Sequence, residues 1–128
     1  MADPAIPIQA ALYQRLSAEV SAPIYDSVPM DAPYPYVTID SEQATNTSVI
    51  SGRKRANRIV YLSVWSNYRG QAEVKRINAE IEAALDEHPL TLSDGRAVSV
   101  RVERMSTNRD ADGETYQGAV TLRIISQQ

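Results

Sequence analysis

Ten residues, Asn57 to Ser66, read NRIVYLSVWS and constrain this chain more than any other stretch. Alternation places Ile59, Tyr61, Ser63 and Trp65 on one face of a strand and Val60, Leu62 and Val64 on the other. β-Branched and aromatic side chains of this kind suit a pleated surface. With apolar residues on both faces, the segment is predicted to be a central strand. The rest of the chain must then supply strands on either side and a layer that covers at least one face.

Two helical patterns offer that layer. Ile8, Leu12, Leu16 and Val20 recur every four residues, with Ala11 and Arg15 alongside, and predict an amphipathic helix ending near Ser21. Asp3 can cap it, Pro4 suits its first position, and Pro7 still falls in the first turn, where amides lack intrahelical acceptors. Val74, Ile77, Ile81, Ala84 and Leu85 form the stripe of a second helix over Gln71 to His88, which Pro89 ends.

Further strands are read from alternation and turn chemistry. Pro23 to Asp26 is a short strand or extended link. In VPMDAPYPYVTID, prolines 29, 33 and 35 precede an alternating strand from Tyr36 to Ile39. Each proline biases the residue before it toward extended backbone, so Ala32 to Pro35 is predicted to be a stiff lead-in. Such residues belong at a strand entry or on a sheet edge, where a missing donor costs little. Leu90 to Leu92 and Ala97 to Val102 are read as strands flanking Ser93 to Arg96, where Asp94-Gly95 is a hairpin signal. Gln117 to Ser126 is the last strand, after a polar turn from Asn108 to Thr115. Residues 41–56 show no sustained period and predict either a mobile arm or a long projecting hairpin. The expectation is one α+β domain over residues 1–128: a mainly antiparallel β-sheet packed against two α-helices, with a projecting loop or hairpin arm.

Little in the chain suggests catalysis. Cysteine is absent, which removes disulfides, thiolate zinc sites and thiol chemistry. His88 is the only histidine, so no His-dependent triad can be built within one chain. Asp110, Asp112 and Glu114 alternate as calcium ligands do, yet the glycine and the twelfth-position glutamate of an EF-hand loop are missing. Ser51-Gly52-Arg53-Lys54 lacks the first glycine of a phosphate loop and the hydroxyl after its lysine. The chain is expected to be no enzyme, with no cofactor and no metal. No apolar run approaches the ~20 residues of a membrane span. The start MADPAIPIQAALYQ lacks the features of a secretory signal, so a cytoplasmic, non-membrane protein is expected.

The net charge of −3 hides a partition. Residues 1–45 carry six acids against Arg15, a balance of −5, whereas residues 46–70 hold Arg53, Lys54, Arg55, Arg58 and Arg69 with no acid, +5. Arg53, Lys54, Arg55 and Arg58 are therefore candidate contacts of the arm with another protein surface, or with phosphates, although no aromatics in stacking order accompany them. Glu82, Asp86 and Glu87 crowd the end of the second helix, where the helix dipole disfavours acids and Glu82 and Asp86 repel at i, i+4. They form a candidate acidic patch for a basic partner.

Four stretches, taken in order, carry a likeness: IQAALYQRLSA, PIYDSVPMDAPYPYVTID, VYLSVWSNYRGQAEVKRINAEIEAALDEHPLTLSDG and RDADGETYQGAVTLRI. The sequence resembles the tail-completion, or tail-terminator, family of tailed phages and phage-like gene transfer agents, over nearly the whole chain. The resemblance implies a structural virion protein that forms a ring, commonly a hexamer, on the end of the tail tube. Such a ring ends tube growth and offers the surface to which the head joins. The implied partners are further copies of the chain, the tail tube protein and a head–tail connector or adaptor, with no specific nucleic acid. Assembly is implied in the bacterial host cytoplasm and residence at the head-proximal end of the tail. The alternatives are another head–tail adaptor or tail tube protein of similar fold, and a small nucleic-acid-binding module using the basic segment.

Overall fold

The computed structural model describes residues 5–47, 55–93 and 96–127. Helix α1 (Ala5–Glu19) is followed by strands β1 (Ile24–Tyr25), β2 (Tyr36–Asn46) and β3 (Arg55–Ser66), helix α2 (Ala72–Leu85), and strands β4 (Arg96–Arg109) and β5 (Tyr116–Gln127). The five strands form one sheet in the order β1-β2-β3-β5-β4, antiparallel except for the short β1–β2 pair. This is the α+β fold that the sequence predicts. β3 is central, paired with β5 over its full length and with β2 from Ala56 to Trp65.

Both helices cover one face of the sheet. Ile8, Leu12 and Leu16 of α1 and Val74, Ile77, Ile81 and Leu85 of α2 are almost completely buried. They lie over Val37, Val60, Leu62, Val64, Val100, Val120, Leu122 and Ile124 in a continuous core. α2 crosses β5 at Gly118, where a Cβ would sit 2.6 Å from Asn78 Oδ1 and 2.7 Å from Val74 Cγ1. Only glycine lets the helix approach this closely. Asn78 Nδ2 donates to Ser106 O at 3.3 Å and ties the same helix to β4.

Several boundaries differ from the sequence reading. α1 stops at Glu19, two residues early, although Val20 N still donates to Leu16 O and the Val20 side chain is buried. α2 ends at Leu85 because Asp86 is extended (φ −66, ψ 123) and Glu87 takes a positive φ of 59. Ala32 to Pro35 is not uniformly extended: Ala32 N donates to Pro29 O in a turn, and the Tyr34–Pro35 peptide is cis. The start of β2 is no sheet edge either, since β1 pairs with it through Ile24 and Val37 and Pro23 O accepts from Val37 N. The prolines precede the ladder, where their missing donors are not needed.

Two larger corrections concern strands. Leu90 to Leu92 is not a strand; Leu90 instead tucks into the core. β4 pairs with β5 over its whole length and runs to Arg109, seven residues past the expected end at Val102. The polar run from Glu103 to Arg109 conceals that extension, as do register shifts between Ala97 and Ser99 and between Val102 and Arg104. Asp94 and Gly95 lie outside the described residues, as does the proposed cap Asp3.

Residues 41–56 resolve in favour of a hairpin over the part that is described. β2 runs on to Asn46, and Thr47 N donates to Arg55 O at 3.0 Å. A bulge between Ile39 and Ser41 switches the phase of β2, which is why no period-2 signal survives there. This hairpin does not stand free of the sheet. β3 stays paired with β5 as far as Arg55 and Gln127, so β2 forms the edge of a four-stranded end of the sheet.

Candidate assembly surfaces

The four basic residues predicted to act together are divided by the fold. Arg53 and Lys54 lie outside the described residues. Arg55 and Arg58 begin β3 three positions apart, so strand alternation sends them to opposite faces of the sheet. Arg55 is exposed at the sheet end, where its Nη2 donates to Gln127 Oε1 at 3.3 Å. Arg58 points to the helix-covered face and is 1% exposed. Its Nε donates to Ser126 Oγ at 2.9 Å and its Nη1 to Glu42 Oε1 at 3.0 Å. Arg58 is therefore a clamp between β2, β3 and β5 rather than a surface contact. A buried guanidinium needs such partners, because an unpaired charge is costly to desolvate.

The acidic residues are closer together, and one of them has a structural task. Asp86 N donates to Glu82 O at 2.8 Å, which closes the last turn of α2. Asp86 Oδ1 accepts from Val102 N at 2.8 Å, beside the register shift of β4. This bond explains an acid at a helix C-terminus despite the unfavourable dipole. Glu87 is exposed and meets Arg101 Nη2 at 4.0 Å, and Glu82 is exposed.

No described element covers the second face of the sheet, and the sequence reading did not identify this face as a surface. Ile59, Trp65 and Ile125 are half-buried there and Tyr61 is exposed. The register sets Arg101 directly opposite Arg123 and Arg104 opposite Thr121, so three exposed arginines share this face. Arg123 Nη2 reaches Glu103 Oε1 at 2.7 Å. These arginines lie in two strands and become neighbours only through pairing, so no linear charge run announces them. At the β1 end of the sheet, Tyr36 stacks on Tyr34 (centroids 5.3 Å apart) and meets Tyr25 edge-on at 5.8 Å. Burial, followed by the neighbouring Tyr34, raises the Tyr36 phenol above its ordinary value.

The alternating acids after β4 build a turn. Asp112 Oδ1 accepts from Glu114 N and Thr115 N at 2.9 and 2.8 Å, and Oδ2 accepts from Thr115 Oγ1 at 2.7 Å. The Thr115 hydroxyl, followed by these amides, holds the Asp112 carboxyl below its usual range. Gly113, at φ 75, supplies the positive φ of the turn. Among the described residues no group of three or more His, Cys, Asp or Glu is placed to hold a metal ion.

Comparison with known proteins matches residues 10–127 to the family model described as tail completion protein gp17. The chain is also similar to one in the solved virion of a native gene transfer agent particle, with 26% identity, a TM-score of 0.89 and full coverage of both chains. A second solved chain, 16% identical, aligns over 96% of this chain and 94% of its own length with a TM-score of 0.58, and so shares the fold. No curated protein sequence matches this chain.

Proposed function

Because the chain belongs to the tail completion protein gp17 family, we propose that it is a structural component of a phage-like virion, at the head-proximal end of the tail. One observation carries this reading: similarity over the whole of both chains to a component of a gene transfer agent virion. In the finer form of the proposal, copies of the chain close into a ring, as a hexamer, on the end of the tail tube. The ring stops tube growth, and its far side receives a head–tail connector or adaptor. Its work is binding rather than chemistry, and assembly takes place in the bacterial host cytoplasm.

Unlike surfaces on one subunit support a head-to-tail ring, since a heterologous contact closes when its rotation divides a full turn. The basic segment, with Arg53, Lys54 and the exposed Arg55, supplies one such surface. Acids on the opposite partner supply the other, among which Glu82, Asp86 and Glu87 are one candidate set. Native mass spectrometry together with electron microscopy of particles carrying a labelled copy tests the reading. The expected result is a closed oligomer and label at the junction of head and tail. Label along the tube would favour a tube protein, and a chain that stays monomeric both alone and on tails would refute the ring.

A further inference from the structure

A groove lies between α1 and the bulged start of β2, and no element of the described chain fills it. Two adjoining cavities, of about 230 and 480 Å³, form it and share Gln9, Asp26 and Ile39. One wall is a second apolar stripe of α1, with Ile6, Ala10 and Tyr13 at i, i+4 and i+7. Ile6 is 81% exposed and Tyr13 47% exposed, on a helix whose other stripe is already buried. An amphipathic helix needs only one apolar stripe, so the second calls for a partner.

Two acids, Asp26 and Glu42, stand along the rim of the groove, and the bulge residue Asp40 lies between them. Glu42 is neutralised by Arg58. Asp40 contributes only its place in the bulge, because its carboxylate accepts from the hydroxyls of Thr38 and Ser63, which lie on the face of the sheet away from α1. Asp26, exposed on the rim, has no ion pair among the described residues.

We infer that this groove receives residues 48–54 of a second copy of the chain. That segment, Ser-Val-Ile-Ser-Gly-Arg-Lys, complements the groove in composition: Val49 and Ile50 suit the apolar wall, Arg53 and Lys54 suit the exposed Asp26, and it contains no acid. The same copy cannot supply it. From Ile39 to Thr47 β2 extends about 26 Å away from the groove, at roughly 3.3 Å per residue. A seven-residue segment anchored at Thr47 and Arg55 can reach back at most about 14 Å. A tip donated by one copy to the root of β2 in the next is a heterologous contact, which is what a ring requires. The inference rests on the ring reading above and names its acceptor, which differs from the patch at Glu82, Asp86 and Glu87.

The absence of native cysteine makes disulfide trapping clean. Full-length Ile50→Cys and Ala10→Cys proteins are mixed, assembled and oxidised, with Glu82→Cys as the competing acceptor. The expected result is a covalent heterodimer of the Ile50→Cys and Ala10→Cys chains, and a ladder of covalent oligomers from the double variant. Asp26→Lys, at an exposed side chain, should weaken association about tenfold, and Lys54→Glu on the donor chain should restore much of it. Rings in which Ile50→Cys joins Glu82→Cys or a tube protein instead of Ala10→Cys would overturn the groove and leave the ring standing. Absence of any oligomer, alone or on tails, would overturn both.

Discussion

Reversing the basic segment to Glu should separate folding from assembly, because Arg58 is inside and Arg55 is exposed. In Arg58→Glu a carboxylate replaces a guanidinium that is 1% exposed and lies 3.0 Å from Glu42 Oε1. The attraction becomes a repulsion, and the Glu42 side chain, 32% exposed, escapes only part of it through solvent. Leaving one buried charge uncompensated costs roughly 3–5 kcal/mol. Set against a typical stability of about 5–15 kcal/mol, this removes a large share of what holds the fold together. For a urea slope of about 2 kcal/mol/M, the midpoint should fall by roughly 2 M. Arg58→Met keeps the stem and drops the charge, and should lose less, about 1–3 kcal/mol, because Glu42 is 32% exposed and can turn to solvent once its partner is gone, while Ser126 Oγ loses its donor. The combined Arg53→Glu, Lys54→Glu and Arg55→Glu protein should keep its midpoint within about 0.8 M, taking ~0.5 kcal/mol for each change and the same slope. It should nonetheless fail to form rings. The assay is urea unfolding followed by circular dichroism at concentrations where the chain is monomeric. A fall of less than about 0.5 M for Arg58→Glu would refute the assignment of Arg58 as a clamp.

Three further outcomes are expected. Gly118→Ala should lose about 1–3 kcal/mol in urea unfolding, because the new methyl lies within 2.6 Å of Asn78 and 2.7 Å of Val74, and Val74→Ala should recover part of the loss. The Asp112 carboxyl should titrate below its ordinary value of 3.8 in NMR; its turn contribution is therefore complete above that pH and lost as pH falls through the lower folded value, and Asp112→Asn should remove this acid limb. His88→Ala should fold and assemble normally, since the ring is exposed and its Nδ1 meets only the Asp86 carbonyl at 2.6 Å; a folded variant that cannot join particles would show a role for this residue.

Periodicity revealed the parts of the fold that bury one clean face. Ile8, Leu12 and Leu16, the α2 stripe, and the alternations of β3 and β5 each repeat without a break, and each appears in the structure where the sequence put it. What escaped was irregular or relational. The bulge at Asp40 reverses the phase of β2, and two register shifts do the same in β4, so neither strand keeps one alternation along its length. The Asp94-Gly95 signal suggested a local hairpin, but β4 pairs instead with β5, whose long apolar face offers far more to bury. At the candidate surfaces, a run of bases in one dimension carried no information on side. Strand pleating puts Arg58 in the core and Arg55 outside, while Arg101 and Arg123 meet only because register sets them opposite each other.

The dimensions of the subunit restrict what an exchanged tip can build. A 128-residue domain has a radius of gyration of about 14 Å, and hence a diameter of roughly 36 Å. The root of β2 lies about 26 Å from Thr47, and the tip adds at most about 14 Å, so the span from groove to donated tip is about 40 Å at full stretch. Touching neighbours fall within that span, whereas a copy one place further on does not. Each subunit can then give to one neighbour and receive from one other, which excludes branching and leaves a ring or a helix. Which of the two forms depends on the angle at which the tip leaves the sheet. That angle is fixed by rigid parts: β3 is laddered on both sides down to Ala56, and Arg58 ties Glu42 of the edge strand to Ser126 of β5. Arg58 thus bears on assembly without touching the partner, by holding the donor strand at one angle. Arg58→Met, weakened but folded and without the tie to Glu42, should give oligomers less uniform in size than the parent, measured by native mass spectrometry; a single unchanged ring would show that pairing with β3 alone sets the angle.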